Sequence, residues 1–591
     1  MNIKKELQKA FNFYQHGNLN KAHEILTKLV KKYPSHMDVI NNLALIKLAQ
    51  NKPLDAIALF EQSLQNKLQL TTIKNLINLY HQLSKWDKIE ELYENNFKKI
   101  IYDLQIELSY LAAIRENKKT GKVLSKIDSL LTQYPNQIDF YISSIFTLNK
   151  LNEYQKALEI GLKGRDLEPE NFYISYNLGI TYSNLNKPKD SINYLLQAQN
   201  YKTNQNLFDL WMTMSAQYIK LNEMNNAREI LKKCEKIYGS NTLTRFQNAS
   251  IESQSGNSKE AESLLKSILK EDPTHVEANY MLGINYLKMK NFKEAFKYYK
   301  YRIKRDGSRK VGLFNDLELP EINKKSKVLI AWEQGIGDQL LFFRLMHKFS
   351  ELVEEITYIT QEKLLLVLQN NYPNINFITE KELNIESNKL YKDYIKLNLG
   401  SILYYIDDIK LDINDSFLKC DYEKKISYSN KFKSEKKLVG LSWFSSNEEI
   451  KDDKSYNLEC LFPIFKDPRY SFISLQYGDV QKNIQYIHEK YEIKIQYDKE
   501  LDYFNNIYDL LALISICDEV ITCSNITAHL AGSLGIPTSL LLPKAKGKLW
   551  YWHESQIKDD RSVWYPSVKV YNQDTQGDWD DVIQKLKDKL K

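Results

Sequence analysis

The sequence predicts an α-solenoid of helical repeats followed by two α/β units, each built on a parallel sheet with helices on both faces. Three observations carry this expectation. Small residues and prolines recur every 34 positions through the first half. Short Val/Ile/Leu-rich runs alternate with amphipathic stretches through the second, as strands and helices do in parallel sheets. A charged segment of low hydrophobicity, Tyr422–Lys437, divides that second half in two. With 591 residues, 43% of them hydrophobic, the chain can bury several cores and is no disordered polymer.

The repeat comes first in the chain. Pro135 and Pro169 lie 34 apart, and so do Ala227, Ala261 and Ala295 in the related stretches NNAREIL, KEAESLL and KEAFKYY. The first helix of a unit reads YNLGITY around Gly179 and YMLGINY around Gly283, while Ala10/Ala22 and Ala44/Ala56 keep an internal spacing of 12. About nine such units fill residues 3–308, the one around 71–104 being the most degenerate. Each unit reads as two helices that approach closely at the small residues. One unit cannot bury its own apolar face, so neighbours stack into a superhelix with a concave surface. The pattern resembles the tetratricopeptide repeat family over roughly half the chain, which implies a protein- or peptide-binding scaffold without chemistry of its own. Tyr176, Asn177, Tyr280 and Asn285 on the inner helices suit peptide-backbone recognition and equally suit ordinary helix packing.

Composition narrows the function. A net charge of +7, from 82 Lys+Arg against 75 Asp+Glu, is small, and the two signs are interleaved, which speaks against a nucleic-acid partner. Five cysteines without a CxxC pair write neither a disulfide framework nor a zinc site. The N-terminus turns polar before a signal-peptide core builds up, and no run approaches the ~20 apolar residues of a membrane helix. The expectation is a soluble cytoplasmic protein with no integral membrane segment.

Around Arg305–Lys327 the repeat gives way to a Gly- and Pro-containing connector. KVLIAW (327–332) reads as a strand followed by the helical QLLFFRLMHKF, and EEITYIT as a strand followed by EKLLLVLQNNY. Beyond the linker Tyr422–Lys437, LVGLSW, YSFISLQ, EVITC and TSLLLP are further strands. The expected boundaries are a solenoid over 1–308, a connector over 309–326, and α/β domains over 327–432 and 433–591. Two such domains leave a ligand cleft between the carboxyl ends of their strands.

Two motifs fall at strand ends. Gly335-Ile336-Gly337-Asp338 follows KVLIAW and opens a helix, where the glycines permit a tight turn and free N–H groups face an anion or substrate. It lacks the third glycine of a dinucleotide fingerprint, since Leu340 stands there. Asp338 reads as a helix N-cap or as a carboxylate able to take a proton, and the two are compatible. Cys523-Ser524-Asn525-Ile526-Thr527-Ala528-His529 follows EVIT and places hydroxyls and a histidine at a second helix start, which suits a phosphate; a helix cap with a packed histidine has the same spacing. Gly535 and Pro537 end that helix. The aromatic block Trp550-Tyr551-Trp552, Trp564-Tyr565-Pro566 and Gly577-Asp578-Trp579 reads as packing or as a stacking platform for a base or sugar.

In order, GxGD after a strand, GLSW (Gly440–Trp443), SLQYGD (Ser474–Asp479), SNITAHLAGSLG, VWYPSVKVYNQ and GDWD resemble the glycosyltransferases related to bacterial heptosyltransferases (glycosyltransferase family 9-like), in the branch fused behind tetratricopeptide repeats. The resemblance covers roughly residues 313–591. It implies two Rossmann-like domains in the GT-B arrangement, the first on the acceptor side and the second binding the donor, no metal, and a nucleotide-sugar as co-substrate. Some fused members modify flagellin or other surface proteins. Carried over, Asp338 would be the general base, Ser524, Asn525, Thr527 and His529 would hold the donor phosphate, Trp443 and Gln476 would lie on the donor side, and Gly335 and Gly337 would form the glycine loop. The chain departs from the family at Phe444, Tyr551 and Asn572, where relatives often carry basic residues; Lys544, Lys546 and Lys548 could restore the charge and equally suit a solvated loop.

The implied function is metal-independent, inverting transfer of a sugar from a nucleotide donor to a flagellin-like protein acceptor held by the repeats. The alternatives are a glycolipid or lipopolysaccharide glycosyltransferase and a non-catalytic repeat scaffold with a vestigial transferase domain. A repeat array of this length is also a surface for self-association, so a homo-oligomer is among the expected assemblies.

Overall fold

A computed structural model describes the chain except residues 1–2, 67, 97–101, 202–206, 306–312, 315–318, 384–389, 407–415, 447–449, 545–546 and 591. Residues 309–312 and 315–318 of the expected connector, and Lys546, lie outside the described residues. The chain forms two compact units, Met1–Leu210 and Trp211–Lys591.

The first unit is helical throughout its described residues. Its helices run in pairs from Ile3–Gln15 with Leu19–Lys32 to Phe172–Asn184 with Pro188–Asn200. The small residues explain the pairing. Ala10, Ala22, Ala44 and Ala56 are buried, and a Cβ on Gly179 would lie 2.6 Å from Leu195 Cγ in the partner helix. Each pair turns on one residue with positive φ: Gly17, Asn51, Ser84, Lys118, Asn152 and Asn186. The expected peptide contacts Tyr176 and Asn177 serve packing here: Asn177 is buried and donates to Tyr173 O, and Tyr176 stacks on Phe172.

The second unit opens with three more pairs, Phe208–Lys220 with Met224–Tyr238, Thr242–Gln254 with Ser258–Glu271, and Val276–Lys288 with Phe292–Tyr299. Ala227, Ala261 and Ala295 are fully buried, and Gly283 brings its helix against the Tyr299 backbone, leaving a Cβ only 2.6 Å from Tyr299 N. Asn285 is buried and donates to Ser258 O at 2.8 Å, again packing rather than recognition.

Two sheets follow. In the first, β1 (Lys327–Ala331), β2 (Glu355–Thr360), β3 (Asn376–Thr379) and β4 (Ile395–Asn398) run parallel in the order β3-β2-β1-β4. The second contains β5 (Lys437–Ser442), β6 (Tyr470–Ser474), β7 (Ile495–Gln496), β8 (Glu519–Cys523), β9 (Thr538–Leu542), β10 (Ile557–Lys558), β11 (Arg561–Ser562) and β12 (Val568–Asn572). Its parallel part has the order β7-β6-β5-β8-β9-β12, and β11 and β10 extend it antiparallel past β12. Thr538–Leu542 is buried at every position, as expected for a strand covered on both faces. The segment expected to be a linker is instead a helix over Tyr422–Lys431. Asp421 caps it by accepting from Lys424 N at 2.9 Å, and none of its residues is buried, so its composition looks like that of a linker.

Repeat helices and sheets share one core. Leu282, Leu287, Phe296 and Tyr299 pack in the same cluster as Val328, Leu340 and Trp564. Arg302, just past the last repeat, is buried with Glu333 beyond β1, their charged ends 2.7 Å apart, and it also donates to Ser401.

Candidate functional site

A cleft of about 360 Å³ opens at the carboxyl ends of strands from both sheets. It is lined from Trp332 to Asp338 beyond β1, by Gln361 and Lys363 beyond β2, by Ser445 and Ser446 beyond β5, by Tyr477 beyond β6 and by Ser524 to Ile526 beyond β8. Strand order reverses beside β1 and beside β5, which is where open α/β sheets bind ligands.

After β1 the backbone turns sharply at Gln334, with φ at 60°, and enters the helix Ile336–Phe343. Gly335, not Asp338, is the N-cap. Asp338 sits three residues on, and its Oδ2 accepts from Gly335 N–H at 3.2 Å, closing the carboxylate half of a capping box. Its Oδ1 accepts from the Tyr551 hydroxyl at 3.1 Å. Burial raises the Asp338 pKa against the lowering effect of these two donors and of Lys454. A carboxylate with a raised pKa that borders a cleft is suited to accept a proton. Gly337 is required for a different reason from phosphate approach: a Cβ there would lie 2.7 Å from His529 Cδ2.

The second motif divides in two. Asn525 caps the helix Ile526–Ser533, its Oδ1 accepting from Thr527 N at 2.9 Å while its Nδ2 donates to Ser442 Oγ at 2.8 Å. Thr527 Oγ1 donates to the same Ser442 hydroxyl. Gln476 Oε1 accepts from the N–H groups of Trp443 and Phe444 at 2.8 and 2.9 Å. These side chains stitch the ends of β5, β6 and β8 together, with Trp443 buried in the core below. Gln476, Thr527 and Trp443 therefore hold the loops and do not border the cleft, while Asn525 does both.

Ser524 does face the cleft. It is 3% exposed, and among the described residues its hydroxyl has no hydrogen-bond partner. His529 borders the cleft as a packed ring. Its Nδ1 pairs with the Tyr565 hydroxyl at 3.0 Å, Tyr551, Trp552 and Tyr565 surround it, and burial with the nearby Lys454 charge lowers its pKa to about 3. It is neutral at physiological pH. The aromatic block is thus mainly packing, with Trp552, Trp564 and Tyr565 fully buried.

Lys454 is a residue of the cleft wall that the sequence did not single out. It ends the short helix Lys451–Lys454, borders the cleft and is 4% exposed, and among the described residues it has no carboxylate at ion-pair distance. Burial lowers its pKa, opposed by the fields of Cys523 and Asp338. In NEEIKDDKSY nothing sets it apart from Lys451. The expected sources of charge are placed elsewhere: Lys548 is paired with Glu554 at 2.5 Å, and Lys544 is exposed. Asp479, on the SLQYGD loop, is exposed and outside the cleft. Among the described residues no group of three or more His, Cys, Asp and Glu is placed to hold a metal ion, and no helix is long and apolar enough to cross a membrane.

The tetratricopeptide repeat family matches residues 7–67 and 253–299, so the chain contains tetratricopeptide repeats. Protein FlbA of Caulobacter vibrioides is 22% identical over 282 residues, which are 44% of this chain and 45% of that protein. The chain thus spans somewhat under half the length of that curated relative. Among solved structures, YrrB, a TPR protein with an unusual peptide-binding site, is 21% identical, with 30% of this chain and 91% of that one covered at a TM-score of 0.25. The Cut9 and Hcn1 hetero-tetramer of the APC/C is 11% identical, with 51% and 80% covered at 0.29.

Proposed function

We propose that the chain is an inverting glycosyltransferase that moves a sugar from a nucleotide-sugar to a hydroxyl of a protein acceptor, a flagellin-like surface protein by the sequence resemblance, with the repeats as the acceptor-binding part. The observation that supports this best is a single cleft that faces a pKa-raised carboxylate, Asp338, on one side and an unpartnered hydroxyl, a helix N-terminus and a buried lysine on the other. The strand order supports it too. Renumbered within its own sheet, β7-β6-β5-β8-β9-β12 reads 3-2-1-4-5-6, the order of nucleotide-binding doubly wound sheets. The first sheet, β3-β2-β1-β4, reads 3-2-1-4, a shorter form of the same order, and two sheets of this kind bordering one cleft support a GT-B reading.

In this reading the acceptor oxygen attacks the anomeric carbon while its proton passes to Asp338. The bond from that carbon to the phosphate oxygen breaks, and the phosphate leaves with the electron pair. Ser524 Oγ, the N–H groups at the start of Ile526–Ser533 and the Lys454 ammonium would stabilise the departing charge. Asn525, Thr527 and Gln476 would act by fixing the loop that presents these donors.

The test is thermal-shift titration of the full chain with CMP, UDP, GDP and ADP. A bound nucleotide at ~100 times its Kd adds ~2.7 kcal/mol. At least one should stabilise the protein, and Lys454→Met should weaken that nucleotide ~10–100-fold, the scale of a hydrogen bond to a charged group. If none shifts the melt at millimolar concentration, the transferase reading fails in favour of a scaffold.

A further inference from the structure

Asp338 borders a second hollow. A chamber of about 330 Å³ lies on its other side, and the two cavities share Gln334, Asp338, Leu549 and Tyr551 as their dividing wall. The far wall of this chamber comes from the helices Thr242–Gln254 and Val276–Lys288, the first helices of the last two repeats. These are the helices that a stacked repeat array turns toward its concave surface. The base thus stands between a cleft furnished for a phosphate and a chamber walled by the solenoid.

The chemistry of that wall is specific. Tyr280, Met281 and Ile284 make an apolar floor, and the Arg305 guanidinium lies 4.2 Å from the centre of the Tyr280 ring while pairing with Glu277. Lys548 is held by Glu554. Lys288 is different: its ammonium meets only the carbonyl and hydroxyl of Ser253, at 3.4 and 3.3 Å, and among the described residues it has no carboxylate at ion-pair distance. Burial lowers its pKa, helped by the field of Lys548 and opposed by that of Glu554. The volume is near the bottom of the ~300–1,000 Å³ range of ligand sites. That suits a side chain and its neighbours in an extended peptide, and is small for a branched glycolipid head.

We propose that this chamber is the acceptor subsite, that it receives a serine- or threonine-bearing peptide segment with an acidic side chain beside the hydroxyl, and that Lys288 reads the acid. The proposal rests on the transferase reading. It adds that the last two repeats form part of the reaction site and select an acidic acceptor sequence.

The test uses the full chain, the nucleotide-sugar whose nucleotide binds, and two capped pentapeptide pools centred on Ser or Thr, one flanked by Glu and one by Gln. Transfer is read by mass spectrometry and nucleotide affinity by calorimetry. The Glu pool should be glycosylated at least ~10-fold faster than the Gln pool. Lys288→Met should remove that preference, mainly through KM, and Met281→Trp, which fills the chamber, should lower transfer to both pools ~10-fold or more. Nucleotide affinity should stay within ~2-fold in both variants, since neither residue touches the larger cleft. Equal rates for the two pools, a preference that survives Lys288→Met, or transfer to a lipooligosaccharide and to no peptide would overturn the proposal while leaving the transferase reading in place. A wild-type chain that binds no nucleotide would remove both.

Discussion

Gly337→Ala tests the geometry of the cleft without assuming what it binds. The added methyl would lie 2.7 Å from His529 Cδ2 and 2.8 Å from Nε2, about 0.7 Å inside ordinary contact. The imidazole cannot retreat, because its Nδ1 is tied to Tyr565 and its faces meet Tyr551 and Trp552, all three buried. The helix Ile336–Phe343 must therefore back away and take Asp338 with it. Overpacking on this scale costs ~1–3 kcal/mol, a drop of ~1–4 °C in the melting transition of a unit as long as Trp211–Lys591. In a double-mutant cycle read by thermal unfolding, His529→Ala should absorb the methyl, so that the double variant is more stable than the sum of the two singles by ~1–3 kcal/mol, the coupling expected for residues in contact. A Gly337→Ala protein that melts like wild type, or a cycle that is additive, would refute the contact.

Three further outcomes are expected. Asp338→Asn should bind nucleotide normally and lose transfer by ~10²–10⁴-fold. Because burial raises the Asp338 pKa, its charge is unfavourable to the fold at neutral pH, and this penalty grows as pH rises through the shifted pKa. The same variant should therefore melt no lower than wild type at pH 7, as differential scanning calorimetry would show. Tyr551→Phe removes a donor that lowers the Asp338 pKa, so the acid limb of kcat/KM should move to higher pH. His529, with its pKa lowered to about 3, stays neutral in the fold while the unfolded chain takes up a proton near pH 6.5. Stability should fall as pH drops from ~6.5 toward ~3, by at most ~4 kcal/mol from this group, and His529→Gln should flatten that part of the pH–stability curve.

The repeat was legible because its period is written in small buried residues that cannot be exchanged for large ones: Ala227, Ala261, Ala295 and Gly283 mark helix contacts in the sequence as they do in the fold. Its turns were less so. The left-handed residue of each pair is Gly or Asn at Gly17, Asn51, Asn152, Asn186, Asn222 and Gly256, but Ser84, Lys118 and Lys290 take the same conformation without that signature. The strands β1, β2, β5, β6, β8 and β9 were legible from continuous apolar runs, whereas β3, β4, β7, β10 and β11 are only two to four residues long and carry no such run. At the site, a polar residue after a strand announces a loop at the cleft end of a sheet but not the direction of its side chain. Ser524 faces the cavity while Thr527 and Gln476 turn back to hold their own loops, and only the hydrogen bonds decide between them. Lys454 was illegible because the groups whose fields reach it, Asp338 and Cys523, are far away in sequence.

The shared core changes what a truncation can say. Residues 1–310 look separable in the sequence, and transfer that survived their removal would favour a glycolipid acceptor. In the fold, that cut strips Leu282, Leu287, Phe296 and Tyr299 from the core they share with β1 and the aromatic block, and removes Arg302 from Glu333. An uncompensated buried carboxylate alone costs ~3–5 kcal/mol. Each lost large apolar side chain withdraws ~1.5–3 kcal/mol more, against a typical total stability of ~5–15 kcal/mol. Gln556 would also lose its bond to Leu287 O. A chain begun at residue 311 should therefore show no cooperative melt, whereas one begun at Leu207 keeps the whole unit Trp211–Lys591 and should melt cooperatively and bind the same nucleotide as the full chain. Cooperative unfolding of the shorter chain would show that the repeat helices only rest against the sheets. Its absence makes the last three repeats part of one folded body with the sheets and leaves Met1–Leu210 as the segment whose removal can report on the proposed acceptor delivery.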